Sequence, residues 1–198
     1  MLIAITGGIG SGKSVVSQIL RTLGYPVYDC DRQAKQIMDC DHNIHANLCG
    51  QIHPQAVVDG KINRKLISDL VFTDAAALAT LNSIVHTAVT TDLHNWSVRQ
   101  SSQGHTIQFV ETAIPVSSGL YKHVDALWQV IADESLRILR VQKRSGLTEV
   151  QVRARMQSQS GEQLGEIPHN DILNNTYTAL LPRIHQLLDV IIADKNIK

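Results

Sequence analysis

Near the start of the chain a short run of consecutive apolar residues is followed by apolar residues at helical spacing. The run at residues 2–6 ends at glycines and predicts a buried strand. Helical spacing of apolar residues continues to Leu23, Gly24 ends the predicted helix, and Val27-Tyr28 begins a second short strand. A strand, a helix and a strand within about 30 residues form a βαβ unit, which predicts a parallel sheet.

The remaining chain continues to alternate between the two kinds of pattern. From Asp59-Gly60 to about Arg99 the spacing is helical throughout, and so long a helical stretch predicts a small separate lobe. Further strands are predicted at 106–111 and 127–132, with a weaker signal at 171–173. Further helices are predicted to begin at Glu134 and at the capping-box pattern of Thr148, and a last one covers about 180–188. The predicted fold class is therefore α/β with two helical excursions.

Composition and charge narrow the functional classes. The 198 residues are 43% hydrophobic, which excludes wholesale disorder, and 18 basic residues offset 18 acidic ones. A neutral chain has no general attraction for nucleic acid or an anionic membrane, so we expect neither as a partner. No apolar run approaches the roughly 20 residues that span a bilayer. Three cysteines without a C-x-x-C pair, and first residues without a signal-peptide pattern, lead us to expect a cytoplasmic protein.

The strongest local signal is the sequence Gly-Gly-Ile-Gly-Ser-Gly-Lys-Ser at residues 7–14, called the phosphate loop below. It matches G-x-x-x-x-G-K-[ST] in full, after a predicted strand and before a predicted helix. In such a loop backbone N–H groups surround the phosphates, Lys13 reaches the β- and γ-phosphates, and Ser14 is a Mg²⁺ ligand. The candidate ATP-binding residues here are Gly8, Ile9, Gly10, Ser11, Gly12, Lys13, Ser14 and Val15. The alternative, a glycine-rich turn without a ligand, is disfavoured by the complete match.

Other classes of nucleotide-binding protein lack their further motifs in this sequence. No aspartate is followed three positions later by glycine, and no N-K-x-D is present, which argues against a GTPase. An ATPase remains an alternative because residues 130–134 imitate an apolar strand ending in Asp133-Glu134. Both acids are also favoured at the start of a helix, which is the simpler interpretation.

Two carboxylates follow the second predicted strand. Asp29 and Asp31 come at the carboxyl end of a parallel strand, where ligands of such sheets bind. Phosphoryl transfer to an alcohol needs a base that accepts the hydroxyl proton. Asp31 also begins a predicted helix, so an N-cap is the structural alternative. The spacing leaves open which of the two aspartates is the base.

A cluster of basic residues lies between residues 137 and 155. Six of the 18 cations fall there against one acid, Glu149, and Arg137, Arg140 and Arg144 share one helical face. This excess favours a lid whose arginines stabilise a transferring phosphoryl group. A solvated charged helix and an RNA-binding surface are the alternatives, although no aromatic residue between 137 and 155 could stack on bases.

An ordered set of motifs resembles the dephospho-coenzyme A kinase family over nearly the whole chain. The resemblance rests on Thr6–Ser14, Leu23-Gly24, Asp29–Ala34, Asp59–Leu66, Val71-Phe72, Leu81–His86, Arg140, Arg144, Gln159, Asn174 and Asn175. The sequence departs from the family pattern at Thr87, at Ser117, where the family has an acid, and at Pro168-His169. These departures concern details of acceptor binding more than the phosphate loop.

The resemblance implies a fold and a domain organisation. The fold would be a P-loop NTPase three-layer sandwich with a mainly parallel five-stranded sheet, a helical acceptor-binding lobe and a helical lid. The core would comprise about 1–58, 104–136 and 165–198, the lobe about 59–103 and the basic lid about 137–164.

The resemblance also implies an activity and site residues. The chain would phosphorylate the ribose 3′-hydroxyl of dephospho-coenzyme A, with ATP as donor and Mg²⁺ as cofactor. It would use Asp31, Lys13 and Arg140 in catalysis, Arg144 and Asn175 with the phosphate loop for ATP, and Asp31, Arg64 and His86 for the acceptor. A P-loop kinase for another small alcohol or nucleotide, and a non-catalytic nucleotide-regulated binding protein, remain the alternatives.

Overall fold

The computed structural model describes residues 1–196. Within these residues the strands are β1 (Leu2–Thr6), β2 (Val27–Asp29), β3 (Val57–Val58), β4 (Lys61–Ile62), β5 (Gln108–Glu111), β6 (Ala126–Ile131) and β7 (Asn170–Leu173). The helices are α1 (Lys13–Thr22), α2 (Cys30–Cys40), α3 (His42–Gln51), α4 (Arg64–Thr73), α5 (Ala75–Ser102), α6 (Glu134–Ser145), α7 (Glu149–Ser158) and α8 (Leu180–Asn196). Among residues 1–196, no helix is both long and apolar enough to cross a membrane.

A five-stranded sheet in the order β2-β5-β1-β6-β7 organises the described fold. β1 pairs in parallel with β5 and β6, and β6 pairs in parallel with β7. At the β2 edge, the Phe109 N–H donates to the Pro26 carbonyl over 2.9 Å. Ile3, Ala4 and Ile5 are completely buried, because a central parallel strand is covered on both faces. The predicted α/β fold with a mainly parallel five-stranded sheet is confirmed.

The sheet's core holds β1 and the start of α1 in fixed positions. Val16 and Leu20 of α1 and Ile184 of α8 pack with the buried residues of the strands. The Phe109 and Trp128 rings, on β5 and β6, lie 5.1 Å apart between centroids. The end of β1 and the first turn of α1, which flank the phosphate loop, are therefore anchored by well-packed elements.

The described chain divides into two compact units. The first consists of Met1–Val27 and the chain from Gln100 onward, and the second is Tyr28–Arg99. The resemblance implies a lobe at about 59–103, whereas the second unit also contains α2 and α3. The reason is a shared core, in which Ile37 of α2 and Leu48 of α3 pack with Ile67 of α4 and Ile84 of α5.

The second unit contains a small hairpin where the sequence pattern predicts helix from Asp59 onward. β3 pairs antiparallel with β4, and Asp59 and Gly60 form the two-residue connection with φ angles of 49° and 72°. Asp-Gly between two short apolar segments is a strong signal for this turn type, which needs positive φ at both positions. The prediction of helix at this point is wrong, and α4 begins only at Arg64, after Asn63 caps it.

Helices α6 and α7 form a small apolar cluster of their own. Ile138 and Val141 of α6 pack with Val152 of α7, and Ile9 of the phosphate loop packs against them. The predicted capping box at Thr148 is confirmed, since its hydroxyl accepts the Gln151 N–H. The basic segment is thus attached to the phosphate loop by apolar contacts as well as by charge.

Candidate active site

The backbone of the phosphate loop requires glycine where it passes closest to its neighbours. Gly7 has φ 143°, and a Cβ there would overlap the Val130 carbonyl oxygen. Gly12 has φ 100°, and a Cβ there would overlap the side-chain amide of Asn174. Any other residue would shift the loop or its neighbours, because these neighbouring atoms are too close to accommodate a methyl group. The expected glycine-rich loop is thus a close fit between β6 and the residue after β7.

Lys13 and Ser14 open α1, directly after the phosphate loop. Gly12 is the N-cap, and no side chain in residues 1–196 caps this helix end. The Lys13 Nζ donates to the Gly7 carbonyl over 2.7 Å, which holds the ammonium group across the loop. The Ser11 hydroxyl is 1% exposed and has no hydrogen-bond partner within the described residues. An uncapped helix N-terminus, a cation and a buried donor without a partner together suit an anionic phosphate group.

Two arginines of α6 bind the carbonyl oxygens of the phosphate loop. The Arg137 Nε donates to the Ile9 carbonyl over 2.9 Å. Arg140 donates to the Ser11 carbonyl over 3.4 Å and to the Asn174 carbonyl over 3.0 Å. Burial lowers the pKa of the Arg137 guanidinium, while the nearby Glu134 charge acts in the opposite direction. Both guanidinium groups bring positive charge to the loop.

Arg144 lies apart from these contacts, although the helical spacing places it on the same face. It occupies the last turn of α6, is exposed, and makes no hydrogen bond to the phosphate loop within the described residues. The resemblance implies Arg144 as an ATP contact and gives no role to Arg137, whereas the structure brings Arg137 and Arg140 to the loop.

The two asparagines after β7 have different roles. The Asn174 side chain is buried, and its Nδ2 donates to the Ser11 carbonyl over 2.7 Å. The Asn175 Oδ1 accepts the Asp133 N–H at 3.0 Å, at the start of α6. Sequence reasoning selected Asn175, whereas Asn174 contacts the loop. Strand alternation is the signal that marks Asn174, because Ile172 points inward, Leu173 outward and Asn174 inward again.

A cavity of about 500 Å³, the loop cavity, opens beside the phosphate loop within the first unit. Gly7 and Gly8 contribute to its lining, as do side chains of the α6–α7 segment and the turn after it. The Gln159 Oε1 accepts the Ile9 N–H at 2.8 Å. The loop cavity therefore combines the features of a phosphate site with a lining of polar and charged side chains.

Glu162 is a cavity residue that sequence reasoning missed. Its carboxylate accepts the Val116 N–H at 2.9 Å and the Ser117 N–H at 3.3 Å. Ser117 is the position where the resemblance led us to expect an acid. A carboxylate is present at this backbone position, but it belongs to a turn 45 residues later in the chain.

Arg153 is a second cavity residue outside the assigned set. It makes ion pairs with Glu149, at 2.8 Å, and with Glu134. The hydrogen bonds to Glu149 and then to Glu134 raise the pKa of this exposed guanidinium. The Arg153 guanidinium, on the cavity side of α7, is therefore held in place by two carboxylates.

The second unit carries the two candidate base residues at the start of α2. Asp29 is the N-cap, since its Oδ1 accepts the Arg32 N–H at 3.0 Å. Asp31 lies in the first turn of the helix and is exposed. The structural alternative that Asp31 is the N-cap is therefore wrong, because the chain turns into the helix one residue before Asp31. No hydrogen bond or ion pair engages the Asp31 carboxylate within residues 1–196.

The remaining acceptor candidates also lie in the second unit. Arg64, in the first turn of α4, forms a 2.5 Å ion pair with Asp39 near the end of α2, and both side chains are about half exposed. His86 is half-buried on α5. Arg64 thus ties α4 to α2, and both candidates belong to the unit that contains Asp31.

Known proteins share this architecture. The structure of TT1252 from Thermus thermophilus superposes with a TM-score of 0.79 at 31% identity, covering 98% of this chain and 97% of that one. A dephospho-CoA kinase from Campylobacter jejuni gives a TM-score of 0.65 at 20% identity, with 98% of both chains covered, which shows the common fold. With its phosphate loop and the arginines bound to it, this fold defines a P-loop kinase.

Sequence comparison identifies the family within that class. The dephospho-CoA kinase (CoaE) family model matches residues 1–179, so the chain belongs to the dephospho-CoA kinase family. Dephospho-CoA kinase of Bacteroides fragilis is 34% identical over 187 residues, which are 94% of this chain and 90% of the relative. That of Porphyromonas gingivalis is 35% identical over 191 residues, 96% of this chain and 93% of the relative. The resemblance inferred from the sequence motifs is confirmed.

Proposed function

We propose that the chain transfers the γ-phosphoryl group of ATP to the ribose 3′-hydroxyl of dephospho-coenzyme A, giving coenzyme A and ADP. The observation that carries this proposal is the complete phosphate loop with Arg137 and Arg140 bound to its carbonyls beside an open cavity. Membership of the dephospho-CoA kinase family supports this acceptor over another small alcohol. It also disfavours the non-catalytic binding protein. A cytoplasmic location and the lack of nucleic-acid and membrane partners stay predictions.

The ATP site we propose is the phosphate loop from Gly8 to Val15, with Arg144 and Asn175 as further candidates. Its backbone N–H groups and the positive end of α1 would bind the phosphates. Lys13 would exchange its hydrogen bond to the Gly7 carbonyl for a phosphate oxygen. Arg140 would offset charge that develops on the transferring group, from a position already fixed by Asn174.

The proposed cofactor is Mg²⁺, and the residues present fit its usual chemistry. Among residues 1–196, no group of three or more acidic, histidine or cysteine side chains forms a metal site. Mg²⁺ in phosphoryl-transfer sites usually takes few protein ligands and fills the rest of its shell with phosphate oxygens and water. Ser14, the second residue of α1, is the proposed protein ligand. When bound, the ion would neutralise charge on the phosphate oxygens.

Asp31 is the proposed base. Its carboxylate would accept the proton of the 3′-hydroxyl as that oxygen attacks the γ-phosphorus and the bond from phosphorus to ADP breaks. Capping by Asp29 supports this assignment, because the cap uses the Asp29 carboxylate and leaves that of Asp31 exposed. Arg64 and His86 are the proposed acceptor contacts, and Arg64 would bind an anionic group of the acceptor by exchanging its ion pair with Asp39.

Replacing Arg140 by alanine is expected to lower kcat by about 10²-fold while the protein stays folded. The variant loses a cation and the hydrogen bonds to the Ser11 and Asn174 carbonyls, so the loop also becomes less ordered. Steady-state kinetics and thermal unfolding measure the two effects. Lys143→Ala removes an exposed charge from the same helix and should keep kcat within about twofold. Equal losses in both variants would indicate a general charge effect and contradict the assigned role.

The experiment that tests the proposed function is an ATP-consumption assay over a panel of acceptors. The panel contains dephospho-coenzyme A, adenosine, nucleoside monophosphates and a sample without acceptor. We expect ADP formation that depends on dephospho-coenzyme A and exceeds that with the other acceptors by at least about 10²-fold in kcat/KM. Equal ADP formation without an acceptor would instead support an ATPase, and a preference for a monophosphate would support another small-molecule kinase.

A further inference from the structure

A buried tyrosine stands directly before the two aspartates at the start of α2. Tyr28 is the middle residue of β2 and only 2% exposed. A phenol hydroxyl at such a position needs a hydrogen-bond partner, because leaving it unpaired in the interior is costly. The partner is Asp92 on α5, whose Oδ2 accepts from the Tyr28 hydroxyl at 2.7 Å.

Trp96 completes the environment of Tyr28 from the same helix. It lies one turn after Asp92 on α5, and its ring meets that of Tyr28 edge-on at 5.4 Å between centroids. Tyr28 is therefore held at its hydroxyl by Asp92 and at its ring by Trp96. Burial, together with the hydrogen bond to Asp92 and the charge of Asp92, raises the pKa of Tyr28. The phenol stays protonated throughout the neutral range, so it remains the donor and Asp92 the acceptor.

This contact lies directly before the start of α2. Asp29 follows Tyr28 and fixes the first turn through its bond to the Arg32 N–H. Asp31 is the second residue of that turn, and its carboxylate makes no hydrogen bond or ion pair with another described residue. Its location thus depends on the anchored residues before it. A displacement of about 1 Å in a catalytic group can cost about 10²-fold in rate.

We propose that Asp92 is a positioning residue for the reaction, acting on Asp31 through Tyr28. The inference rests on the proposed function, since it takes Asp31 as the base. Asp92 takes no part in the chemical step. It serves as the fixed acceptor that holds the end of β2, and with it the start of α2, against α5.

Three single variants test the inference by kcat at saturating ATP and dephospho-coenzyme A. Tyr28→Phe keeps the ring and its contact with Trp96 but loses the hydroxyl, and should lower kcat by about tenfold with KM for ATP unchanged. Asp92→Ala removes the acceptor of the same hydrogen bond and should lower kcat by the same factor. Asp92→Asn keeps an oxygen that accepts from Tyr28 and should stay within about twofold of wild type. Tyr25→Phe, the same chemical change at a half-buried tyrosine of the first unit, is the control and should leave kcat unchanged.

A double-mutant cycle separates positioning from a general loss of stability. In an Asp31→Asn background, Tyr28→Phe should lower the thermal midpoint as it does in wild type but leave the residual kcat unchanged, because the group it positions is gone. A folded Tyr28→Phe with wild-type kcat, or the same tenfold loss in the Asp31→Asn background, would overturn the inference. Wild-type kcat in Asp31→Asn alone would overturn the proposed base instead, so the two failures are distinguishable.

Discussion

Replacing Lys13 by alanine is expected to reduce kcat/KM by about 10²–10³-fold, the equivalent of about 2.7–4 kcal/mol of transition-state stabilisation. The Lys13 ammonium lies 2.7 Å from the Gly7 carbonyl, across the loop that would hold the triphosphate. No other lysine lies in the phosphate loop, so no second ammonium group takes the place of Lys13 there. Steady-state kinetics with varied ATP measure the loss.

The fold of the Lys13→Ala variant should be retained. Lys13 is only half-buried at the first position of α1, and alanine has a high helix propensity. The free energy of unfolding should therefore change by no more than about 0.5 kcal/mol, which chemical denaturation measures. Lys143→Ala supplies the charge-matched comparison. Normal turnover by a folded Lys13→Ala variant would contradict the assignment of the loop.

Replacing Asp31 by asparagine should lower phosphoryl transfer by about 10²–10⁴-fold, the usual contribution of a positioned general base. The amide cannot accept the hydroxyl proton, while its size and exposure are those of the carboxylate. ATP binding should be unchanged, because the phosphate loop retains Lys13, Ser14 and its backbone. Because Asp31 neither caps α2 nor packs in a core, the free energy of unfolding should stay within about 0.5 kcal/mol.

Asp29→Asn is the matched variant that decides between the two carboxylates. Asparagine caps helices about as well as aspartate, so this change preserves the bond to the Arg32 N–H. We expect its kcat to stay within about threefold of wild type. If Asp29→Asn loses the activity and Asp31→Asn keeps it, Asp29 is the base. Asp29→Ala should in addition cost about 1 kcal/mol of stability through loss of the cap.

The elements of the sheet could be predicted because local pattern and tertiary environment agree there. The apolar run of β1 is buried on both faces, and the glycines after it mark a loop whose backbone approaches β6 too closely for a side chain. The hairpin at Asp59-Gly60 carries an equally local signal, the Asp-Gly pair, but the helical spacing around it predicts the wrong element.

The site residues that sequence reasoning missed depend on contacts between distant segments. Asn174 reaches the phosphate loop because β7 pairs with β6 in the register that joins Ile131 to Leu173. Glu162 reaches the Val116 and Ser117 N–H groups from a turn after α7. Strand alternation marks Asn174 as inward-facing, but no local pattern specifies which distant segment either side chain contacts. By contrast, the helical spacing of Arg137 and Arg140 places them on one face, and the structure brings both to the loop.

The position of the new phosphate in the product tests the central claim most directly. The protein is incubated with ATP and dephospho-coenzyme A, or with the analogue that lacks the ribose 3′-hydroxyl, and the products are examined by mass spectrometry and ³¹P NMR. We predict one phosphate ester at the ribose 3′-oxygen for each ADP formed, and no phosphorylation of the 3′-deoxy analogue. ADP release with an unmodified acceptor, or a phosphate on any other hydroxyl, would contradict the account.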